Sequence, residues 1–190
     1  MPAPDSSLIC KVVRQLTQAP AYTAIEGVRG SLLSAAASSY GWKSEDDEHT
    51  QPTGFDPDVA RLFEAVVEGA FLVANADGEF DATEQAAFQH VVVSACAGRV
   101  AERQVSALLA DLQDLLDEDG MQKRIAMVAR AITREDHARE VLRVSSLLAY
   151  VSGGVSSVER EVLDKLAAEF KLTDAAVEQA IEEAAHALTE

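Results

Sequence analysis

From residue 57 onward the apolar residues return every three or four positions almost without a break. Val59, Leu62, Phe63, Val66, Val67 and Ala70 fall on one face of a helix. Comparable stripes predict helices over 57–75, 82–97, 101–117, 120–132, 134–151, 157–170 and 174–188. The polar positions between them mark the starts. Asp56 followed by Pro57 is an N-cap with proline at the first helical position. Asp81, Thr133, Ser156 and Thr173 each carry a side-chain oxygen able to accept from an orphan backbone N–H. Seven helices with short joints predict an all-α bundle.

The first 55 residues follow a different pattern. "SSLICKVVRQLTQ" reads as a short helix capped by Ser6 or Ser7, with Leu8, Ile9, Val12 and Leu16 on one face. "AIEGVRGSLLSAAASSYGW" has helical character but carries three glycines and several serines, which lower helix propensity. "KSEDDEHTQPTGFDPD" reads as an acidic linker punctuated by proline and glycine. The organisation expected is therefore an N-terminal helical extension over 1–55, with the boundary near Gly54, and a helical domain over 56–190.

Composition narrows the function classes. Thirty-two acidic residues against 16 basic give a formal charge of −16 in 190 residues, which repels nucleic-acid phosphates and anionic headgroups. Nucleic acid is not an expected partner. Cys10 and Cys96 belong to different predicted elements, so neither a disulfide framework nor a cysteine-rich zinc site is readable. No segment approaches the ~20 apolar residues of a membrane span, and the start of the chain lacks a cationic region before its short apolar run. The expected location is cytoplasmic.

A shift of 75 residues lays "VANADGEFDATEQAAF" on "LAYVSGGVSSVEREVL". Gly78 meets Gly153, Phe80 meets Val155, Asp81 meets Ser156, Glu84 meets Glu159 and Phe88 meets Leu163. Each copy reads as helix, glycine turn, capping box, helix, so the chain contains a duplicated helical hairpin. The stretch Ala76-Asp77-Gly78-Glu79-Phe80-Asp81 with Glu84, and its echo in Gly153, Val155, Ser156 and Glu159, resembles the bacterial tellurite-resistance protein TerB and its relatives. The resemblance covers residues 56–190. It implies an all-helical fold of about seven helices, no established enzymatic activity, and a role in resistance to tellurite and other chemical stress. It also implies divalent-metal binding at the acidic loops and association with other proteins of that system, a membrane partner among them. The second loop departs from the pattern, because Ser152 and Gly153 stand where the first has Asp77 and Gly78.

The acidic loop admits two readings. Set on the calcium-loop template, Asn75 takes the third position, Asp77 the fifth, Gly78 the sixth, Phe80 the eighth, Asp81 the ninth and Glu84 the twelfth, whereas Val73 occupies the first, where an acid belongs. The candidate ligands for calcium, magnesium, manganese or zinc are then Asp77, Glu79, Asp81 and Glu84, with Glu159 reaching across from the second turn. The other reading needs no ion. Gly78 supplies a positive φ, Asp81 caps the next helix and Glu84 closes the capping box, while the helix dipole favours acids at that end. Asp77 and Glu79 exceed what such a cap requires.

Other residues carry less chemistry. Glu183 and His186 have the spacing of one di-iron ligand pair, but such a site needs two pairs and two further glutamates. His90 and His137 read as helix-face histidines. No nucleophile with its base, phosphate loop or dinucleotide turn is readable. Two functions are expected to compete: a non-enzymatic stress-response module that binds a divalent cation or partner proteins through its acidic loop, and an adaptor without metal that recruits partners by its acidic surface.

Overall fold

The computed structural model describes residues 6–20, 30–42 and 55–189, and these form nine α-helices and one short 3-10 turn with no strand among them. The helices are α1 (Ser6–Thr17), α2 (Leu32–Tyr40), α3 (Pro57–Ala74), α4 (Ala82–Ala95), α5 (Glu102–Asp119), α6 (Met121–Ala131), α7 (Glu135–Ala149), α8 (Ser157–Glu169) and α9 (Asp174–Thr189). Most of the acidic linker and the expected boundary near residue 54 lie outside the described residues. Among the described residues no helix is long and apolar enough to cross a membrane.

α3 and α7 form the centre and pack directly on each other. Residues 65–73 of α3 and 140–149 of α7 are buried on nearly every face; the α3 run is apolar all round apart from Glu68, as a central helix requires, whereas the α7 run also buries Glu140, Arg143, Ser145 and Ser146. The two come close because Gly69 has no side chain at the crossing, where a Cβ would stand 2.5 Å from Val141 Cγ1. The remaining helices wrap this pair. α2 covers α3, α9 covers α7, and α6 and α8 fill the sides.

α1 and α2 share the core with the rest. Val12, Leu16 and Leu33 are completely buried, and Tyr40 stacks on Phe63 of α3 with ring centroids 4.5 Å apart. Each large apolar side chain so buried contributes about 1.5–3 kcal/mol. Polar ties fix the register. Ser39 Oγ accepts the Asp56 N–H at 2.7 Å and donates to the Asp56 carbonyl at 2.9 Å, joining α2 to the start of α3. Lys11 Nζ donates to the Leu188 carbonyl at 2.9 Å, joining α1 to the end of α9.

The starts at Asp56, Asp81 and Ser156 follow the polar signals, and the start of α7 corrects one of them. Asp56 accepts the N–H groups of Asp58 and Val59 at 2.9 and 3.2 Å, with Pro57 behind it. Thr133 does not cap α7. Arg134 holds the N-cap position without a side-chain cap bond, and its guanidinium instead grips Asp136 at 3.0 and 2.7 Å. Glu135 and Asp136 occupy the first turn, where the helix dipole favours acids.

Candidate functional site

The turns of the two hairpins occupy residues 75–81 and 150–156 and are built alike. In the first, the chain leaves α3 through Asn75, whose buried amide donates to the Phe71 carbonyl at 3.0 Å. Gly78 then takes φ 80°, a left-handed conformation that costs glycine nothing. In the second, Tyr150–Ser152 makes a 3-10 turn before Gly153 takes φ 121°.

Both outer helices begin with a complete capping box. Asp81 Oδ1 accepts the N–H groups of Thr83 and Glu84 at 2.7 and 2.9 Å, while Glu84 Oε2 accepts the Asp81 N–H at 3.2 Å. At the second start Ser156 Oγ accepts the Glu159 N–H at 3.3 Å and Glu159 Oε2 accepts the Ser156 N–H at 2.7 Å. The Glu84 N–H, with that of Thr83, holds the Asp81 carboxyl below the usual carboxylate range. Asp77 is drawn into the turn as well, because its Oδ1 accepts the Glu79 N–H at 2.9 Å.

The two turns face one another across a cleft of about 620 Å³. Asp77, Glu79, Glu84 and Glu159 line it, so the structure brings together carboxylates from both copies of the repeat. Asp81, whose Oδ1 serves the cap, is not one of the lining residues. Among the described residues no three His, Cys, Asp or Glu side chains stand close enough to hold a metal ion between them. Three of the four lining carboxylates already give an oxygen to a backbone N–H, which leaves the second oxygen of each for a ligand.

Apolar side chains stand among these carboxylates. Phe80, Phe88, Leu148, Tyr150, Val151 and Val155 form much of its wall. Phe80 stands edge-on to Phe71 and Phe88, with ring centroids 5.7 and 5.8 Å away, so its position is set by packing. This apolar wall is absent from the sequence-derived ligand set. The signal for it was the repeat itself: Phe80 and Val155 are the matched positions two residues after each turn glycine, and both line the cleft.

The remaining candidates stand apart from the cleft. Cys96 is fully buried and desolvation pushes its thiol up to about 12, whereas Cys10 is exposed. His90 and Glu183 are exposed on their helices. His137 is half-buried at the start of α7, and burial lowers its pKa from the ordinary histidine value.

A family model described as "Tellurite resistance protein TerB" matches residues 63–184. No curated protein and no solved structure matches the chain.

Proposed function

The chain belongs to the TerB tellurite-resistance family, and from that premise we propose that it is a non-enzymatic, cytoplasmic module of defence against tellurite and related chemical stress. It works by docking another protein, soluble or membrane-associated, in the cleft between its two turns. The observation that carries this reading is the convergence of both repeat copies on one cleft, with four carboxylates around an apolar wall. A folding role alone explains the caps at Asp81, Glu84, Ser156 and Glu159, but not Glu79, which lines the same cleft.

The test is growth on tellurite of the source organism lacking the gene and complemented with variants. The natural chain restores growth; Glu79→Lys/Glu84→Gln/Glu159→Gln, accumulated to the same level, does not. Gln at 84 and 159 keeps an oxygen for each capping box, so the folded state is preserved. Full protection by the triple variant overturns the reading.

A divalent cation is the second reading, favoured by the presence of Asp77, Glu79, Glu84 and Glu159 around one cleft. Hard cations take six or more oxygens, and the first loop lacks the initial acid, so affinity no tighter than about 10⁻⁴–10⁻³ M is expected. Calcium, magnesium, manganese and zinc would raise the thermal midpoint of the natural chain and leave Asp77→Asn unmoved, because an ion that binds only the native state stabilises it by mass action. An unchanged midpoint in millimolar metal removes the cation and leaves the docking role.

A further inference from the structure

The two sides of the cleft differ in charge. The first turn contributes Asp77, Glu79 and Glu84, three carboxylates. The second contributes Tyr150, Val151 and Val155 with a single carboxylate, Glu159, because Ser152 and Gly154 stand where the first copy has Asp77 and Glu79. The charge of the cleft is therefore lopsided, with three of its four lining carboxylates on the first turn, whereas apolar side chains line it from both hairpins, Phe80 and Phe88 from the first and Tyr150, Val151 and Val155 from the second.

That arrangement selects its occupant. A free hydrated cation satisfies the carboxylates and leaves the apolar wall wet. A purely apolar segment buries carboxylates without partners, which costs several kcal/mol per ion. An acidic segment meets both the local carboxylates and the −16 formal charge of the whole chain. Only an occupant that carries apolar and cationic groups side by side satisfies both. The volume of about 620 Å³ lies within the usual size of a ligand pocket, enough for a few side chains.

Resting on the cleft as the working face, we infer that its occupant is a segment of a partner protein in which an apolar side chain adjoins two or more Lys or Arg residues. The apolar side chain sits against Tyr150 and Val155, and the cations lie over Asp77, Glu79 and Glu84. The orientation follows from the asymmetry of the repeat: the carboxylates gather on the first turn, and the second has Ser152 and Gly154 in place of Asp77 and Glu79. The negative field of the chain speeds encounter with such a segment and makes it salt-dependent.

The experiment pans a library of random peptides displayed on phage against the full chain. Enriched peptides should pair Leu, Ile, Met or Phe with adjacent Lys or Arg. A synthetic copy of the most enriched peptide should bind Glu79→Lys/Glu84→Gln at least about tenfold more weakly than the natural chain, a loss of 1.4 kcal/mol or more. Replacing its apolar residue by Ser should weaken it similarly. Asp114→Lys/Glu118→Gln, an equal charge change on exposed positions of α5, should leave binding within about twofold at physiological salt, because the Debye length is only ~8 Å. Glu79→Gln should cost more than Glu159→Gln if the cations lie over the first turn. Failure to enrich any peptide, enrichment of acidic or uncharged sequences, or equal binding to Glu79→Lys/Glu84→Gln overturns the inference. If the triple cleft variant nonetheless loses tellurite protection, the cleft remains the working face and its occupant has another chemistry. If protection is also unaffected, the docking role falls with it.

Discussion

The hairpins α3–α4 and α7–α8 share one plan, a central buried helix, a turn with a left-handed glycine and an outer helix opened by a capping box. Yet positions 68 and 143, which the 75-residue shift superposes, carry opposite buried charges. Glu68 is held from another helix: Arg124 of α6 donates Nε at 2.7 Å, its Nη2 stands 2.6 Å away, and its Nη1 reaches Asp119 at 3.1 Å. Arg143 meets Glu140 one turn back on its own helix at 3.2 Å and donates Nη2 to the Gln15 carbonyl of α1 at 2.6 Å. One scaffold has thus solved the same problem by a distant partner in the first copy and a local one in the second. The first solution locks α6 to the bundle, and the second locks α1. The cleft shows the same divergence, because the first copy supplies three of its four lining carboxylates and the second only Glu159.

The largest test concerns what covers each central helix. α9 follows its hairpin directly in sequence and covers α7, whereas the cover of α3 is α2, from before residue 55. Removing residues 1–55 uncovers α3 and the Phe63 ring stacked on Tyr40. With several side chains worth about 1.5–3 kcal/mol each, the loss is comparable with the whole ~5–15 kcal/mol stability of a domain. Denaturant unfolding of the truncated chain should show a broad or absent transition. A cooperative transition at the natural midpoint would make those residues an appendage after all.

Next in size is Arg124→Ala, which leaves Glu68 buried without its partner. Breaking such a pair costs about 3–5 kcal/mol at neutral pH. Removing Glu140 should cost less, since Arg143 keeps the Gln15 carbonyl. The Arg124→Ala penalty should also depend on pH. Burial already raises the Glu68 pKa above the ordinary glutamate value against the pull of Arg124, and without Arg124 it rises further. A raised carboxyl pKa means that the native state binds a proton more readily than the unfolded one, so the variant regains stability as pH falls through that value. Urea midpoints at pH 7 and pH 5 should therefore lie closer to those of the natural chain at the lower pH. A penalty independent of pH would assign the loss to packing alone.

A smaller change sharpens the asymmetry of the cleft. Ser152→Asp returns the missing acid to the second copy. It should strengthen binding of basic-apolar peptides by no more than about fivefold, since partly exposed charge pairs contribute about 0.2–1 kcal/mol. A loss on titration instead would mean that the uncharged second turn is needed as it stands.

The smallest effect is at the ends of the outer helices. Ala97 after α4 and Lys171 after α8 hold φ 51° and 60° without being glycine. Lys171→Gly should stabilise the chain by up to about 1 kcal/mol, less the entropy gained by the unfolded chain. Ala97→Gly should behave alike if the two ends are equivalent, and differential melting of the two variants reads this directly.

The sequence carried the helices of residues 57–189 to within two residues at each end, because their apolar periodicity is long and their caps are local. Asp81 and Ser156 were legible as caps for the same reason. Thr133 was not, because the competing Arg134–Asp136 contact belongs to a different conformation of the same few residues. The acidic set at 77, 79, 84 and 159 was legible through the repeat, and the apolar wall only in part. Tyr150 and Val151 reach the cleft through a 3-10 turn that no periodicity announces. The cover of α3 by α2 and the pairing of Glu68 with Arg124 depend on packing between segments distant in the chain, and no local pattern encodes such contacts.

Cys96 gives the fold a clock. Its thiol is wholly enclosed and pushed up to about 12, so in the closed protein it offers almost no thiolate to an electrophile or an oxidant. It becomes reactive only in the moments when the end of α4 comes away. With exposed Cys10 replaced by Ser, the rate at which a thiol reagent labels the protein therefore reports how often that helix opens. The chain thus carries one of its two cysteines behind a door whose swing can be timed.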